Sequence, residues 1–188
     1  MSESQSSTPP TPPIIDADGH IVEPESTWTD HLDPRFLEAV PRPVREGEEF
    51  YFRCGATESF RMRARPESLA APRKPGERSG SGEPASGATD PAARLEDMAL
   101  DAIAQSVIYP TYGLLVQGVR DAEAAPALCR AINDWMAEYC RHDPARLFAV
   151  GVLPQTSPEA ALGEARHCLE KLGMVGVWRR GSIRVGKN

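Results

Sequence analysis

The chain has 188 residues, a formal net charge of −6, 40% hydrophobic residues and 26% charged residues. That composition can bury a core, but the length falls short of the roughly 250 residues of a complete (β/α)8 barrel. The net acidity argues against non-specific nucleic-acid binding, no apolar run of about 18 residues predicts a membrane span, and the opening MSESQSSTPPTPP lacks the basic and apolar regions of a signal peptide.

Residues 1–13 are mostly Ser, Thr and Pro with no apolar pattern, and predict a disordered leader. Residues 14–23, IIDADGHIVE, read as a strand in which acids alternate with Ile and Val. The acids concentrate in residues 1–40, where Arg35 is the single base. A Pro-bounded stretch at 24–40 predicts one or two helical turns. EEFYFRC at 48–54 predicts a short strand, with FRMRA at 60–64 as its partner. Residues 66–93 hold much of the Pro and Gly. Such a composition does not repay its ordering entropy, so it predicts a mobile insertion.

From there the pattern is regular. Asp90 can cap a helix with Pro91 at its first position, and Leu95, Met98, Ala102 and Ile103 fall on one helical face. SVIYP at 106–110 predicts a buried parallel strand. The next helix spans 121–141, with Leu128, Ile132, Trp135 and Tyr139 inward and an ordered core beginning near Pro126. RLFAVGVLP at 146–154 is a second buried strand. Ser157-Pro158-Glu159 opens a helix whose inner face is Ala161, Ala165, Cys168, Leu169 and Leu172, with Gly173 as its stop. MVGVW at 174–178 is the fourth strand of this series, and 179–188 is an unpatterned tail.

Alternating strands and helices with short connections predict parallel βαβ units. A flavodoxin-like sheet wants a Gly-rich phosphate turn after the first strand. Here that turn is Glu23-Pro24-Glu25, which repels phosphate, so part of a barrel is the better solution. Cys54, Cys129, Cys140 and Cys168 form no CxxC and predict buried, reduced thiols in a cytoplasmic chain.

On a strand, Asp16, Asp18 and His20 share one parity and project together, while Ile15 and Ile21 project the other way. Asp18 and His20 stand nearest the C-terminal end, where barrel active sites lie. A carboxylate oxygen and an imidazole nitrogen from one strand can meet on a divalent ion, and Gly19 between them permits close approach. Glu23, in the following loop, is a candidate pocket residue. By spacing alone a hydrogen-bonded Asp–His pair is the simpler reading, because catalytic zinc usually has three protein ligands. Of the other histidines, His142 suits a helix C-terminus, His167 lies off its helix's apolar face, and His31 sits in the first loop. Tyr109 and Thr111 flank the end of their strand, where they either line the pocket or, for Tyr109, pack in the core.

The wording of longer stretches goes further. IIDADGHIVEPESTW, RLEDMALDAIAQSVIYPT and AINDWMAEYCRHDPARLFAVGVLPQTSPEAALGEARHCLEKLGMVGV together resemble the amidohydrolase-related (amidohydrolase 2) family, in the branch that includes aminocarboxymuconate-semialdehyde decarboxylase and aromatic-acid decarboxylases. The likeness covers 14–30 and 94–177. It implies an α/β fold, the N-terminal half of a (β/α)8 TIM barrel spanning 14–178. It also implies a metal-dependent hydrolase or non-oxidative decarboxylase, with Asp18 and His20 as metal ligands. Zinc is the first choice of metal and manganese the second. The implied substrate of the complete enzyme is a small-molecule acid, amide or lactone, with no nucleic acid or membrane involved. The family takes a further His from its fifth strand and an Asp from its eighth. The chain is therefore expected to be a truncated, catalytically incomplete fragment, with no catalytic residue assigned beyond the candidate Glu23. Open sheet edges predict homo-oligomers. Two alternatives stand beside this reading: a short enzyme completed by self-association, and a non-catalytic binding or structural module that retains half the barrel.

Overall fold

The computed structural model describes residues 12–46, 49–54, 57–62 and 86–181. Residues 1–11 of the expected leader (1–13), 66–85 of the expected insertion (66–93) and 182–188 of the expected tail (179–188) lie outside the described residues, while 86–93, expected to be part of the mobile insertion, form a 3-10 turn and the start of a helix.

The first strand, β1 (Ile14–His20), leads to a short helix α1 (Glu25–His31) and a 3-10 turn at Pro34–Ala39. Three strands follow, β2 (Arg42–Glu46), β3 (Glu49–Cys54) and β4 (Thr57–Met62), and pair as an antiparallel sheet in the order β2-β3-β4. The β3–β4 pair matches the two predicted strands, with the partner starting at Thr57. β2 was not expected, because RPVRE carries a proline and three charges in five residues. As an outer strand of the three it tolerates Pro43, which faces Phe52 across the ladder.

After a 3-10 turn at Ser86–Ala88 come α2 (Pro91–Leu100), β5 (Ile103–Tyr109), α3 (Gly113–Val116), α4 (Ala124–Cys140), β6 (Leu147–Val152), α5 (Pro158–Arg166) and β7 (Gly176–Trp178). The caps are those the sequence predicts: Asp90 accepts from Ala92 N, and Ser157 accepts from Ala160 N. The α2 face stops short of its predicted Ala102 and Ile103. Ala102 adopts φ +57°, which turns the chain out of the helix, and Ile103 already lies in the strand. α4 begins two residues before Pro126, because a proline in the first turn sacrifices no intrahelical bond. Its N-terminus is held by Asp121, whose carboxylate accepts from Glu123 N at 2.9 Å and Ala124 N at 2.8 Å. These bonds depress its pKa.

β1, β5, β6 and β7 form one parallel sheet in that order, each strand laid beside the previous one. A doubly wound sheet reverses its strand order at a switch point. This sheet does not, so the fold is α/β with the first four strands of a (β/α)8 winding. α4 packs on β6, burying Leu128, Ile132 and Met136 completely; each contributes about 2–3 kcal/mol.

One buried polar cluster fastens the helices to β6. The Asn133 side chain donates to Val152 O at 2.9 Å and accepts from Val152 N at 2.8 Å. It also reaches Glu164 Oε1 at 2.8 Å, and Arg130 clasps the same carboxylate at 2.9 Å. Glu164 therefore points inward on α5 beside Cys168. Leu169, predicted on that inner face, is 47% exposed, because a π turn at His167–Lys171 adds a residue and rotates the following side chains. Gly173, with φ +68°, ends this segment as predicted. All four cysteines are buried, and burial pushes Cys140 and Cys168 up to about 12. No described helix is long and apolar enough to cross a membrane.

Candidate functional site

β1 carries its polar residues to the C-terminal edge of the parallel sheet, but not in simple alternation. The β1–β5 register shifts between Asp16 and Gly19. Asp16 thereby turns to the helix-covered side, where its carboxylate accepts from the buried Ser106 hydroxyl at 2.8 Å and from Asp18 N at 3.1 Å. The shared parity expected for Asp16, Asp18 and His20 therefore fails for Asp16. Gly19 sits on the same side as Asp16. A Cβ there would fall 2.5 Å from Ser106 Oγ and 2.8 Å from Asp16 Oδ2, so only glycine fits. Ile15 and Ile21 also part company: Ile21 is fully buried, and Ile15 is exposed.

Asp18 and His20 remain together on the opposite, open face. Asp18 Oδ1 lies 3.7 Å from His20 Nε2, with side-chain exposures of 87% and 43%. Two ligands of one small divalent ion stand about 3.0–3.4 Å apart when each is about 2.1 Å from the metal. A small rotamer change would bring this pair to that spacing. The donor set, one carboxylate and one imidazole, suits zinc or manganese. Among the described residues, no group of three or more His, Cys, Asp and Glu could hold an ion.

The pair is braced from behind. Arg94 of α2 donates to the His20 carbonyl, and α2 is itself pinned by close packing. A Cβ on Gly87 would sit 2.7 Å from Arg94 Cα, and Gly87 O accepts from the Tyr139 hydroxyl at 2.5 Å. Burial pushes that phenol up to about 12. Val22 N donates to Ala88 O at 2.8 Å, so residues 86–88 are docked on the strand end.

Glu23 lies beyond the strand and is 3% exposed. Its carboxylate accepts from three successive backbone N–H groups: Thr111 at 3.2 Å, Tyr112 at 2.9 Å and Gly113 at 2.8 Å. It locks the loop after β1 to the loop after β5. Burial raises its pKa, against the opposing pull of those N–H groups. Tyr112 stands edge-on to Phe52 of the small sheet, with ring centroids 5.6 Å apart. Tyr109 faces His20, with ring centroids 6.0 Å apart.

The other histidines are engaged elsewhere. His31 lies 3.5 Å from Glu138 of α4, and His167 pairs with Asp134 at 2.7 Å, which makes it less exposed than its position off the apolar face implied. His142 is exposed after α4. Sequence reasoning missed a polar cluster beyond β6 and β7. Gln117 donates to Leu153 O at 2.7 Å and accepts from Arg180 N at 3.2 Å and from the Gln155 side chain. Isolated glutamines carry no periodic signal that would have marked them.

Comparison with known proteins gives a consistent set. A family model described as amidohydrolase matches residues 15–186. Gamma-resorcylate decarboxylase of Rhizobium radiobacter is 37% identical over 71 residues, which cover 38% of this chain and 22% of that protein. The enzyme of the same name from Rhodococcus jostii is 39% identical over 61 residues, 32% of this chain and 18% of that protein. Among solved structures, an amidohydrolase of Mycobacterium avium subsp. paratuberculosis superposes with a TM-score of 0.63 at 21% identity, over 86% of this chain and 47% of that one. The 5-carboxyvanillate decarboxylase of Novosphingobium aromaticivorans, solved with bound manganese, gives 0.50 at 18% identity, over 88% and 41%. The chain thus spans less than half the length of each of these proteins.

Proposed function

The chain belongs to the amidohydrolase family, and on that premise we propose that it serves a metal-dependent, non-oxidative decarboxylase of a small aromatic acid. The observation that carries this reading is the Asp18–His20 pair, 3.7 Å apart on the open face at the C-terminal end of β1. Hydrolysis of an amide or lactone is the other activity of the family's chemistry. Decarboxylation is favoured because the curated relatives are gamma-resorcylate decarboxylases.

Asp18 and His20 would hold the ion. Manganese is the first metal to test, since a solved relative holds it, and zinc is the second. When bound, the ion supplies positive charge that attracts the substrate's acid oxygens and stabilises developing negative charge. The chain's own residues do the positioning. Asp16 holds the Asp18 amide, and Arg94 holds the His20 carbonyl, so both donors project from a fixed backbone. Glu23 fixes the two loops that rim this edge of the sheet. A cytoplasmic location belongs to the same reading and fits the buried thiols of Cys129, Cys140 and Cys168, which form no disulfide. Self-association is proposed with it, since Ile14, Ile15, Leu162 and Val175 are each more than half exposed.

The test is manganese binding to the full chain, followed by electron paramagnetic resonance. Asp18→Asn and His20→Gln should each weaken manganese binding by at least about tenfold. Manganese binding that neither substitution changes would remove the reading.

A further inference from the structure

We infer that Tyr109 is the specificity-determining residue of this site: its ring is the wall against which the aromatic ring of an acid held at Asp18 and His20 stacks. The inference rests on the function proposed above and names the feature of the substrate that this chain selects.

Three observations carry it. First, Tyr109 is the direct neighbour of His20 in the β1–β5 ladder, and the two rings lie 6.0 Å apart with 33° between their planes. Second, β5 alternates. Ser106 and Ile108 are completely buried beneath the helices, whereas Val107 and Tyr109 are half-buried on the other face, the face of Asp18 and His20. Part of the Tyr109 ring is therefore open on the side where a ligand of that pair would sit. Third, the backbone presenting the ring is held on both sides. Tyr109 O accepts from Ile21 N at 3.1 Å, Pro110 follows, and Glu23 grips the N–H groups of the next three residues. A ring on so constrained a backbone is a fixed surface.

Asp18 and His20 present polar edges, and neither distinguishes an aromatic acid from a saturated one. Tyr109 does, because aromatic pairs gain from their quadrupoles beyond the area they bury. A planar ring is accepted against it, and a puckered, saturated ring of similar size forgoes that gain.

The experiment compares 2,6-dihydroxybenzoate with cyclohexanecarboxylate by calorimetry on the manganese-loaded full chain, with manganese occupancy followed by electron paramagnetic resonance. The wild type and Tyr109→Phe should prefer the aromatic acid. Tyr109→Leu should shrink that preference by about three- to tenfold while manganese occupancy stays at the wild-type level. An unchanged preference in Tyr109→Leu with manganese bound overturns the role of Tyr109 and leaves the metal reading intact. Absence of manganese binding, or of acid binding by the wild type, overturns both. Tyr109→Phe guards against a folding artefact, since it keeps the ring; loss of the aromatic preference in that variant also overturns the stacking role.

Discussion

The Glu23 carboxylate accepts a 2.8 Å hydrogen bond from the backbone N–H of Gly113, ninety positions further along the chain. The bonds from Thr111 and Tyr112 reach the same side chain, so one buried residue joins two loops at the end of the parallel sheet that carries Asp18 and His20. Removing the acceptor strands three N–H groups, whereas removing only the charge leaves a carbonyl oxygen for some of them. Glu23→Ala should therefore destabilise the fold by about 2–4 kcal/mol, and Glu23→Gln by much less. Urea unfolding of the two variants is the check; equal losses would contradict it.

The same residue predicts a pH dependence. Burial raises the folded-state pKa of Glu23 above its ordinary value of 4.5. In that window the folded chain binds more protons than the unfolded chain. The stabilisation is complete below about 4.5 and is lost as pH rises through the folded value. Wild-type stability should fall with rising pH in this range relative to Glu23→Gln, which has no proton to lose. Parallel pH–stability curves for the two proteins would refute the assignment.

Asn133 offers a test of the scaffold. Its amide takes the place of a neighbouring strand at Val152 and bonds Glu164 as well. Asn133→Leu keeps the volume but leaves the Val152 N–H and C=O without this partner and weakens the setting of the buried Glu164. A loss of about 3 kcal/mol in chemical unfolding is expected. A loss below about 1 kcal/mol would mean that the helix side chain contributes little to holding β6.

Ala102 holds φ +57°, where an L-residue pays a steric cost of about 1–2 kcal/mol that glycine escapes. Ala102→Gly should raise stability by about 1 kcal/mol at most, because the unfolded glycine gains entropy. Thermal melts of the two proteins decide it, and a lowered midpoint would count against the strain.

Much of this architecture is legible in local sequence. The four-residue and three-residue steps of Leu128, Ile132, Trp135 and Tyr139 predict the inner face of α4, and all four are buried. Asp90-Pro91 and Ser157-Pro158 mark helix starts that the structure reproduces. What escapes is set by partners distant in sequence. The bulge in β1 depends on Ser106 drawing Asp16 to the helix side, and nothing in IIDADGH announces it. Glu164 points inward because Arg130 and Asn133 wait for it on another helix, whereas periodicity marks it as a surface acid. At the candidate site, the strand that carries the polar residues can be read from the chain. The triple grip of Glu23 cannot, because its donors are backbone groups that have no sequence signature.

The strand pairings of the parallel sheet differ in the length of chain that each one closes. β5, β6 and β7 follow one another in sequence as well as in space, so their pairings close shorter loops than the pairing of β1 with β5. β1 instead pairs Ile14 with Ile103, across the small sheet and α2, and closes the longest loop of the parallel sheet. Asp18 and His20 are therefore set in place by the pairing that closes this longest loop. Anything that loosens the β1–β5 pairing would release the donor pair while leaving the pairings of β5, β6 and β7 available to the rest of the sheet.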